Sequence, residues 1–356
     1  MSGRGLEDDC VRTRIEAWLR NDKSVVRAAE ELGINTKTLG STIYSAEGRR
    51  VAAELTQDDV PETGDIVLPI FADDDIPASR ILDHMEARFR QRLKHADSLR
   101  WFEFSVKDTK PIGIMWFGDP HLGNNGCNIP LLRRDIEIAV SADGMYAANL
   151  GDTADNWGGK LMRLYGENDV SRKTERRLAR WFLQDAGIPW ILWLEGNHDQ
   201  MDGAFTAYLR AINASVIPMM DWRAKFKIQF PNGAVCRVDA AHNHKGNSMW
   251  NELHGQERAA IMDETADLYI AGHHHDWGIK RKELPCGTVV TLARARGYKF
   301  IDSYAHRGNF VTMKRGSSIV TIIDPMADQA GRVHAFDDAA EASEFLKWKR
   351  ERAASS

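Results

Sequence analysis

The chain contains the sequence Ile112-Gly113-Ile114-Met115-Trp116-Phe117-Gly118-Asp119-Pro120-His121, in which a short apolar run precedes a polar turn. An apolar run of this length that ends in glycine is typical of an interior strand followed by a tight turn. Asp119 and His121 follow the strand two residues apart, and a carboxylate and an imidazole so placed can bind one metal ion. An Asp-x-His triplet alone is weak evidence, because it also occurs in ordinary solvated turns. The pair predicts a metal site only if further ligands follow.

Four later segments repeat this arrangement of polar residues after a predicted strand. They are Gly151-Asp152-Thr153-Ala154-Asp155-Asn156 after residues 145–150, Gly196-Asn197-His198-Asp199 after 190–194, Ala241-His242-Asn243-His244 after 235–240, and Gly272-His273-His274-His275 after 268–271. Glycine precedes the polar group in four of the five segments and permits the sharp turn that returns a side chain over the strand end. Amphipathic helices predicted between the strands, including 131–140 and 175–184, indicate an α/β layered domain with active groups on loops at strand ends.

This ordered series resembles the calcineurin-like metallophosphoesterase superfamily over roughly residues 110–300. The resemblance implies a four-layer α/β/β/α sandwich that holds two divalent metal ions. By position, it assigns Asp119, His121 and His275 to one metal, and Asn197, His242 and His273 to the other, with Asp152 bridging both. It also implies that His198 faces the substrate phosphate as an acid or charge stabiliser, and that Asp155 orients His198.

The chemistry of these residue types agrees with that assignment. Two divalent ions about 3.5–4 Å apart lower the pKa of a bridging water and hold phosphoryl oxygens for in-line attack by the resulting hydroxide. A ligand shared by two cations is expected to be an anion, which Asp152 supplies. Mixed Asp, Asn and His ligands favour Mn²⁺, with Fe, Zn²⁺ or Ni²⁺ as alternatives. Either His242 or His244 fits the fourth segment, and we favour His242 because it is nearer the strand end.

Residues 11–50 predict a small helical unit with a helix-turn-helix pattern. Gly33 is placed to end one helix, and Asn35 is a favourable N-cap for the next. The resemblance to helix-turn-helix DNA-binding units places Thr36, Lys37, Gly40, Ser41 and Thr42 at the start of a recognition helix facing the DNA groove. The unit is locally basic, which favours phosphate contact. The alternative is a helical hairpin that binds protein or has no binding function.

Length and composition predict more than one domain. We assign residues 1–55 to the helix-turn-helix domain, 56–77 to an acidic linker, 78–335 to the metallophosphoesterase domain and 336–356 to a C-terminal helix and tail. The net charge of −4 over 356 residues gives no global attraction to nucleic acid. Four scattered cysteines predict reduced thiols, and no apolar run predicts a signal peptide or a membrane span. These features favour a cytoplasmic protein of undetermined oligomeric state, in the bacterial host cell if the chain is phage-encoded.

The combination of a DNA-binding unit and a two-metal site favours a phosphodiesterase or nuclease that acts on DNA. It is similar to bacteriophage-encoded members of the superfamily. Asn156 stands where protein Ser/Thr phosphatases of the superfamily carry arginine, which disfavours that branch. Two alternatives remain from the sequence. One is a small-molecule phosphodiesterase, for example on cyclic nucleotides, whose helical unit serves assembly. The other is a DNA-binding regulator whose phosphoesterase domain senses a ligand.

Overall fold

The computed structural model describes residues 4–56, 76, 78–213, 216–301 and 318–354. The chain divides into two units, Met1–Ile81 and Leu82–Ser356. The predicted acidic linker lies outside the described residues, apart from Thr56 and Ile76. In the part of the chain that the structure describes, no helix is long and apolar enough to cross a membrane.

The N-terminal unit is helical. Its helices are α1 (Arg4–Arg20), α2 (Val25–Leu32), α3 (Thr36–Ile43) and α4 (Ala46–Thr56). The predicted caps between α2 and α3 are confirmed: Gly33 has the left-handed φ of 62°, and the Asn35 side chain accepts the backbone N–H of Lys37 at 2.8 Å. Ile15, Leu39 and Val51 are buried in the shared core. Their burial shows that helices far apart in sequence pack around one apolar centre.

The second unit contains two six-stranded mixed sheets. The first has the strand order β12-β11-β2-β3-β4-β5, in which β2, β3, β4 and β5 are parallel neighbours. Its strands are β2 (Ile112–Phe117), β3 (Met145–Asn149), β4 (Trp190–Glu195), β5 (Met219–Asp221), β11 (Ile319–Ile323) and β12 (Val333–Phe336). The fully buried pattern of β2 explains its unbroken apolar sequence, because both faces of this strand are covered.

The second sheet has the strand order β1-β6-β7-β8-β10-β9, in which β7, β8 and β10 are parallel neighbours. Its strands are β1 (Arg100–Ser105), β6 (Arg223–Gln229), β7 (Val235–Ala241), β8 (Leu268–Ala271), β9 (Gly278–Glu283) and β10 (Val289–Arg294). The alternating burial of β6 identifies a strand with one face toward the core and the other toward solvent.

Helices precede, connect and follow these strands along the chain. They are α5 (Ala78–Leu99), α6 (Ile129–Ser141), α7 (Arg172–Arg180), α8 (Asn197–Met201), α9 (Gly203–Ile212), α10 (His254–Met262) and α11 (Ala339–Ala354), with a 3₁₀ helix at Gly159–Glu167 and a π-helical turn at Trp181–Asp185. Ile114 and Leu192 of the first sheet share one core with Phe226 and Ile270 of the second. The sheets therefore pack face to face.

Helices cover the outer side of each sheet. Leu132 of α6 and Leu346 of α11 pack against Met115 of the first sheet, whereas Ala259 of α10 packs with Tyr269 of the second. The predicted α/β fold of two sheets flanked by helices is confirmed, and its layers run α/β/β/α. A C-terminal helix was predicted within residues 336–356, and Ala339, Ala342 and Leu346 of α11 are buried in a core of the second unit.

Candidate metal centre

The predicted ligands all follow the carboxyl ends of strands. Those after β2, β3 and β4 come from parallel neighbours in one sheet, and those after β7 and β8 come from parallel neighbours in the other. Because the two sheets pack face to face, these ends meet at one edge of the sandwich. The structure brings together the whole predicted ligand set, which is Asp119, His121, Asp152, Asn197, His242, His273 and His275.

One group of possible ligand atoms comes from Asp119, His121 and His275, and its atoms lie within 4.8 Å of one another. The Nε2 atoms of His121 and His275 face each other at 3.2 Å, although 154 residues separate them in sequence. Both histidines are largely withdrawn from solvent, and burial lowers the pKa of each imidazole below its ordinary value. Neutral imidazoles are the form that binds metal.

A second group comes from Asp152, His242 and His273, again with ligand atoms within 4.8 Å. Nε2 of His242 lies 3.0 Å from Oδ1 of Asn197 and 3.0 Å from Nδ1 of His273. Burial, followed by the neighbouring His242, lowers the pKa of His273 to about 3. Asn197 thus joins this group through its carboxamide oxygen.

Asp152 lies between the two groups. Its Oδ2 atom is 3.5 Å from Nε2 of His242 and 4.0 Å from Nε2 of His121. Burial opposes its charge, but the neighbouring histidines His242, His198 and His121 together lower the pKa of Asp152 well below the usual range. An ionised carboxylate within reach of both groups has the position and charge expected of a shared ligand.

The donor atoms in this cleft fit a pair of metal ions. Nδ1 of His242 contacts the backbone oxygen of Leu150 at 2.7 Å, so Nδ1 carries the proton and Nε2 presents a lone pair to Asn197 and Asp152. Oδ1 of Asp119 is buried without a hydrogen-bond partner in the described part of the chain. The lone pairs of these atoms point toward one another with no proton between them, so they repel one another. A bound cation would offset that repulsion.

The backbone at the predicted ligands is strained. Asp119, His121, Asp152, His273 and His275 have left-handed φ values of 43°, 44°, 53°, 75° and 57°. A left-handed conformation at a non-glycine residue costs of order 1–3 kcal/mol and persists only where the surrounding structure enforces it. Five such residues at one edge of the sandwich indicate a functional site rather than five unrelated turns.

Close backbone approach in the cleft requires glycine at two positions. A Cβ on Gly196 would overlap Oδ1 of Asp152 and lie 2.7 Å from the His242 ring. Gly151 has a φ of 101°, and a Cβ there would lie 2.6 Å from the backbone nitrogen of Gly196. These glycines bring the ends of β3 and β4 close enough for their side chains to share one site.

His198 lies beside the two groups, 12% exposed, with Nε2 4.0 Å from Oδ2 of Asp152. Its Nδ1 faces the backbone oxygen of Asp155 at 2.7 Å, so Nδ1 carries the proton in the neutral ring. The ring also packs against Trp157 and His121, with centroids at 4.6 and 4.8 Å. His198 is therefore held by its Nδ1 side and presents Nε2 to the cleft.

The predicted role of the Asp155 side chain requires correction. Asp155 meets His198 through its backbone oxygen, whereas its carboxylate lies 2.7 Å from Nδ1 of His121. The side chain therefore contacts the turn after β2, whereas the main chain contacts the turn after β4. Lys299 and Asn124 also contact it, and although burial opposes the charge, His121 and then Lys299 lower the pKa of Asp155. Asp155 thus orients a predicted metal ligand.

The structure places His242 and His244 in different surroundings. His242 lies in the second ligand group, whereas Nε2 of His244 faces Oδ1 of Asp239 at 3.2 Å outside the cleft. Arg223 binds the same carboxylate through both of its oxygens. Burial opposes the charge of Asp239, but the hydrogen bonds from Arg223 and His244 lower its pKa to about 2. His244 anchors the loop that carries His242.

Two contributors to the cleft were not assigned from the sequence. Asp199 accepts backbone N–H groups from Asp152, Thr153 and Gly196 at 2.8, 3.0 and 2.9 Å, and so joins the turns after β3 and β4. Trp222 packs its ring 5.0 Å from that of His242. The Gly-Asn-His-Asp segment contains Asp199 and could have indicated that this residue contributes to the cleft. No sequence pattern indicated Trp222.

The predicted DNA-facing residues of the N-terminal unit are only partly on its surface. Thr36, Lys37 and Ser41 are exposed. Thr42 is 8% exposed, and its hydroxyl accepts a hydrogen bond from Arg14 at 2.9 Å and donates to the backbone oxygen of Thr38 at 3.1 Å. The prediction that Thr42 faces the groove is therefore wrong, because its helical position turns it toward α1.

Comparisons with known proteins give fold-level similarities of low score. The sequence matches no family model and no curated protein. Among solved structures, a single-residue variant of Vps29 from Entamoeba histolytica has 13% identity, covering 64% of this chain and 99% of that chain with a TM-score of 0.35. Wild-type Vps29 complexed with Zn²⁺ from the same organism has 11% identity, covering 63% and 97%, with a TM-score of 0.33.

A third similar structure is the NAD nucleotidase of Haemophilus influenzae, at 11% identity and a TM-score of 0.36. It covers 64% of this chain, which in turn spans about half (49%) of that protein. Identities and scores at this level do not assign the chain to a family. The case for a function therefore depends on the geometry of the cleft.

Proposed function

We propose that this protein is a two-metal phosphoesterase, and specifically a phosphodiesterase or nuclease that acts on DNA. The observation that carries the proposal is the position of Asp152 within reach of two separate ligand groups. Asp119, His121 and His275 would hold one divalent ion, and Asn197, His242 and His273 the other, with Asp152 shared. Such a pair supplies Lewis-acid activation of water and of phosphoryl oxygens when bound, and this donor set favours Mn²⁺.

His198 is the residue best placed for proton transfer. Its Nδ1 is engaged by the backbone oxygen of Asp155, which leaves Nε2 directed at the cleft. A positioned imidazole that transfers a proton contributes typically 10²–10⁴-fold to such reactions. In the proposed role, the doubly protonated ring donates its Nε2 proton to the leaving oxygen of the substrate and returns to the neutral Nδ1–H form, and the Trp157 ring limits rotation of the imidazole.

DNA as the substrate is supported by the N-terminal unit. Its α2 and α3 are two short helices joined by a capped three-residue turn, and α3 exposes Thr36, Lys37 and Ser41 near its start. In helix-turn-helix proteins the first residues of the second helix contact base edges in the major groove. A unit of this kind on the same chain would raise the local concentration of DNA at the cleft.

The test is hydrolysis by the purified full chain with Mn²⁺ and with EDTA. The substrates are single-stranded DNA, double-stranded DNA, an aryl phosphodiester and an aryl phosphomonoester. We expect Mn²⁺-dependent cleavage of DNA and of the aryl diester. His198→Ala and Asp152→Asn should each abolish both, because the first removes the proton donor and the second the shared anion.

Controls separate a site effect from a folding effect. His84→Ala and Asp97→Asn change the same residue types at exposed positions of α5 and should retain wild-type rates. Circular dichroism should show that all four variants keep the wild-type fold. Undiminished diester cleavage by either His198→Ala or Asp152→Asn would contradict the proposed site, and cleavage of the aryl diester without any cleavage of DNA would contradict the proposed substrate.

A further inference from the structure

Helix α7 carries a row of basic side chains on its solvent face. Lys173, Arg177 and Arg180 follow one another at i, i+4 and i+7, so they lie on one side of the helix. All three are exposed. Within the described residues, none of them forms an ion pair. We call these three residues the basic stripe.

The opposite face of α7 packs against the turn that carries Asp152 and Asp155. Ala179 is fully buried in a small cluster with Ala154, which lies inside that turn, and with Phe205 of α9. Glu175 is 2% exposed and receives hydrogen bonds from Tyr165 and Asn168. The helix that carries the basic stripe therefore packs against the turn that contains Asp152 and Asp155.

Other basic residues of α7 have structural partners, which sets the stripe apart. Arg172 and Arg176 lie 3.4 and 3.5 Å from the carboxylate of Asp202, and Arg172 also donates to the backbone oxygen of Trp157. These contacts tie α7 to the segment that follows His198. In the part of the chain that the structure describes, the stripe residues make no such contact. Like charges on neighbouring turns of one helix face repel one another, and a bound anion would offset that repulsion.

We infer that the basic stripe binds the phosphate backbone of a polynucleotide whose scissile diester lies in the metal centre. The inference rests on the proposed function and narrows its substrate to a polymer. Seven residues of helix span about 10 Å at 1.5 Å each. A DNA strand advances about 3.4 Å per nucleotide, so about three phosphates extend over the same length. The net charge of the whole chain is −4, so this attraction is local to the stripe.

The experiment compares two charge-matched triple variants of the full chain. One carries Lys173→Glu, Arg177→Glu and Arg180→Glu. The control carries Lys107→Glu, Arg237→Glu and Lys347→Glu, at exposed positions outside α7. For each protein, kcat/KM is measured for a 30-base-pair duplex and for the aryl diester in the same preparation. The ratio of the two values cancels differences in active fraction and in metal loading.

We expect the stripe variant to lower the duplex-to-aryl ratio about tenfold or more, while the control keeps the wild-type ratio. A second readout is the salt dependence of duplex binding in EDTA, which does not require turnover. Each phosphate contact contributes about 0.9 to the slope of log K against log salt, so the stripe variant should lose about 3 from the slope. A neutral triple, Lys173→Gln, Arg177→Gln and Arg180→Gln, repeats both measurements if the charge reversal unfolds α7.

The outcomes separate this inference from the proposed function. A wild-type ratio and a wild-type salt slope in both stripe variants would overturn the stripe as a polynucleotide surface. Stripe-dependent binding to phosphatidylserine vesicles, with duplex binding unchanged, would overturn it in favour of a membrane surface. Wild-type protein that hydrolyses neither substrate would refute the proposed function, whereas the salt slope would still decide whether the stripe binds DNA.

Discussion

The carboxylate of Asp155 lies 2.7 Å from Nδ1 of His121, on the side of the ring opposite to the candidate metal position. Nε2 of His121 faces His275, so one ring nitrogen contacts a carboxylate and the other is directed toward the candidate metal position. A carboxylate that accepts the proton of one ring nitrogen fixes the tautomer and the orientation of a metal-binding histidine and raises its basicity. Lys299, 3.4 Å from the same carboxylate, in turn balances its charge.

The first prediction concerns this contact. Asp155→Ala should weaken Mn²⁺ binding about 10- to 100-fold, because His121 loses the group that sets its tautomer. Asp155→Asn should weaken it less, since its carboxamide oxygen can still accept the Nδ1 proton. The measurement is calorimetric titration of metal-free protein with Mn²⁺. Asp169→Ala, at an exposed position, is the matched control; equal affinities for Asp155→Ala and wild-type protein would contradict the assignment.

The second prediction concerns the glycine between β4 and α8. Gly196→Ala should destabilise the second unit by about 1–3 kcal/mol, because its methyl group overlaps Asp152 and crowds His242. Gly203→Ala is the control, since a Cβ there meets nothing within 4 Å and its effect should be slightly stabilising. Urea unfolding without metal measures both. A Gly196→Ala variant as stable as Gly203→Ala would show that the turns are not tightly packed.

The third prediction concerns pH. Burial raises the pKa of Glu175 to about 7, against 4.5 for the ordinary group. The folded state therefore holds this proton more tightly than the unfolded state, so the free energy of unfolding should fall as pH rises from about 4.5 through about 7. The contribution lost across that window is about 3 kcal/mol. Below the unfolded pKa the contribution is fully present.

The measurement is urea unfolding of metal-free protein between pH 4.5 and 8. Glu175→Gln should flatten the profile relative to wild type, because its carboxamide does not titrate. Glu137→Gln, at an exposed position of α6, is the control and should keep the wild-type profile. Parallel profiles for Glu175→Gln and the wild type would refute the role of Glu175.

The fourth prediction separates the two kinds of residue on α3. Lys37→Ala should lower the salt slope of DNA binding by about 1 without affecting stability, because Lys37 is exposed. Thr42→Val should instead destabilise the N-terminal unit by about 1 kcal/mol, because it removes the hydrogen bond with Arg14. Binding and thermal unfolding of each variant are measured together. A change in DNA affinity for Thr42→Val at unchanged stability would restore it to the DNA-facing surface.

Much of the fold was predictable where the local sequence is decisive. Residues 112–117 and 268–271 were predicted as strands with the bounds that β2 and β8 show, and 235–240 ends one residue before β7 does, since buried strands are short apolar runs between polar turns. Strand β6 was missed because its alternating Arg223-Ala-Lys-Phe-Lys-Ile-Gln sequence carries too many charges to stand out as a buried run. Strand β11 was missed although it is the same kind of short, fully buried apolar run.

The candidate site was predictable as a set of residues but not as a set of contacts. The structure gathers the seven expected ligands, because glycine-led turns at parallel strand ends restrict where such side chains go. The Asp155 carboxylate contacts His121, in the turn after another strand, and no motif specifies this contact. The burial of Thr42 depends in the same way on Arg14, which lies 28 residues earlier in the chain.

The cleft draws its ligands from both sheets, with Asp152 and Asn197 from one and His242 and His273 from the other. The distance between the two halves is therefore set by the apolar layer that separates the sheets, where Phe226 packs. We therefore expect the affinity of the site for metal to depend on how the interior between the two sheets is packed. A conservative substitution deep in that layer should shift the positions of the candidate ligands while the protein remains folded, although the substituted residue touches none of them.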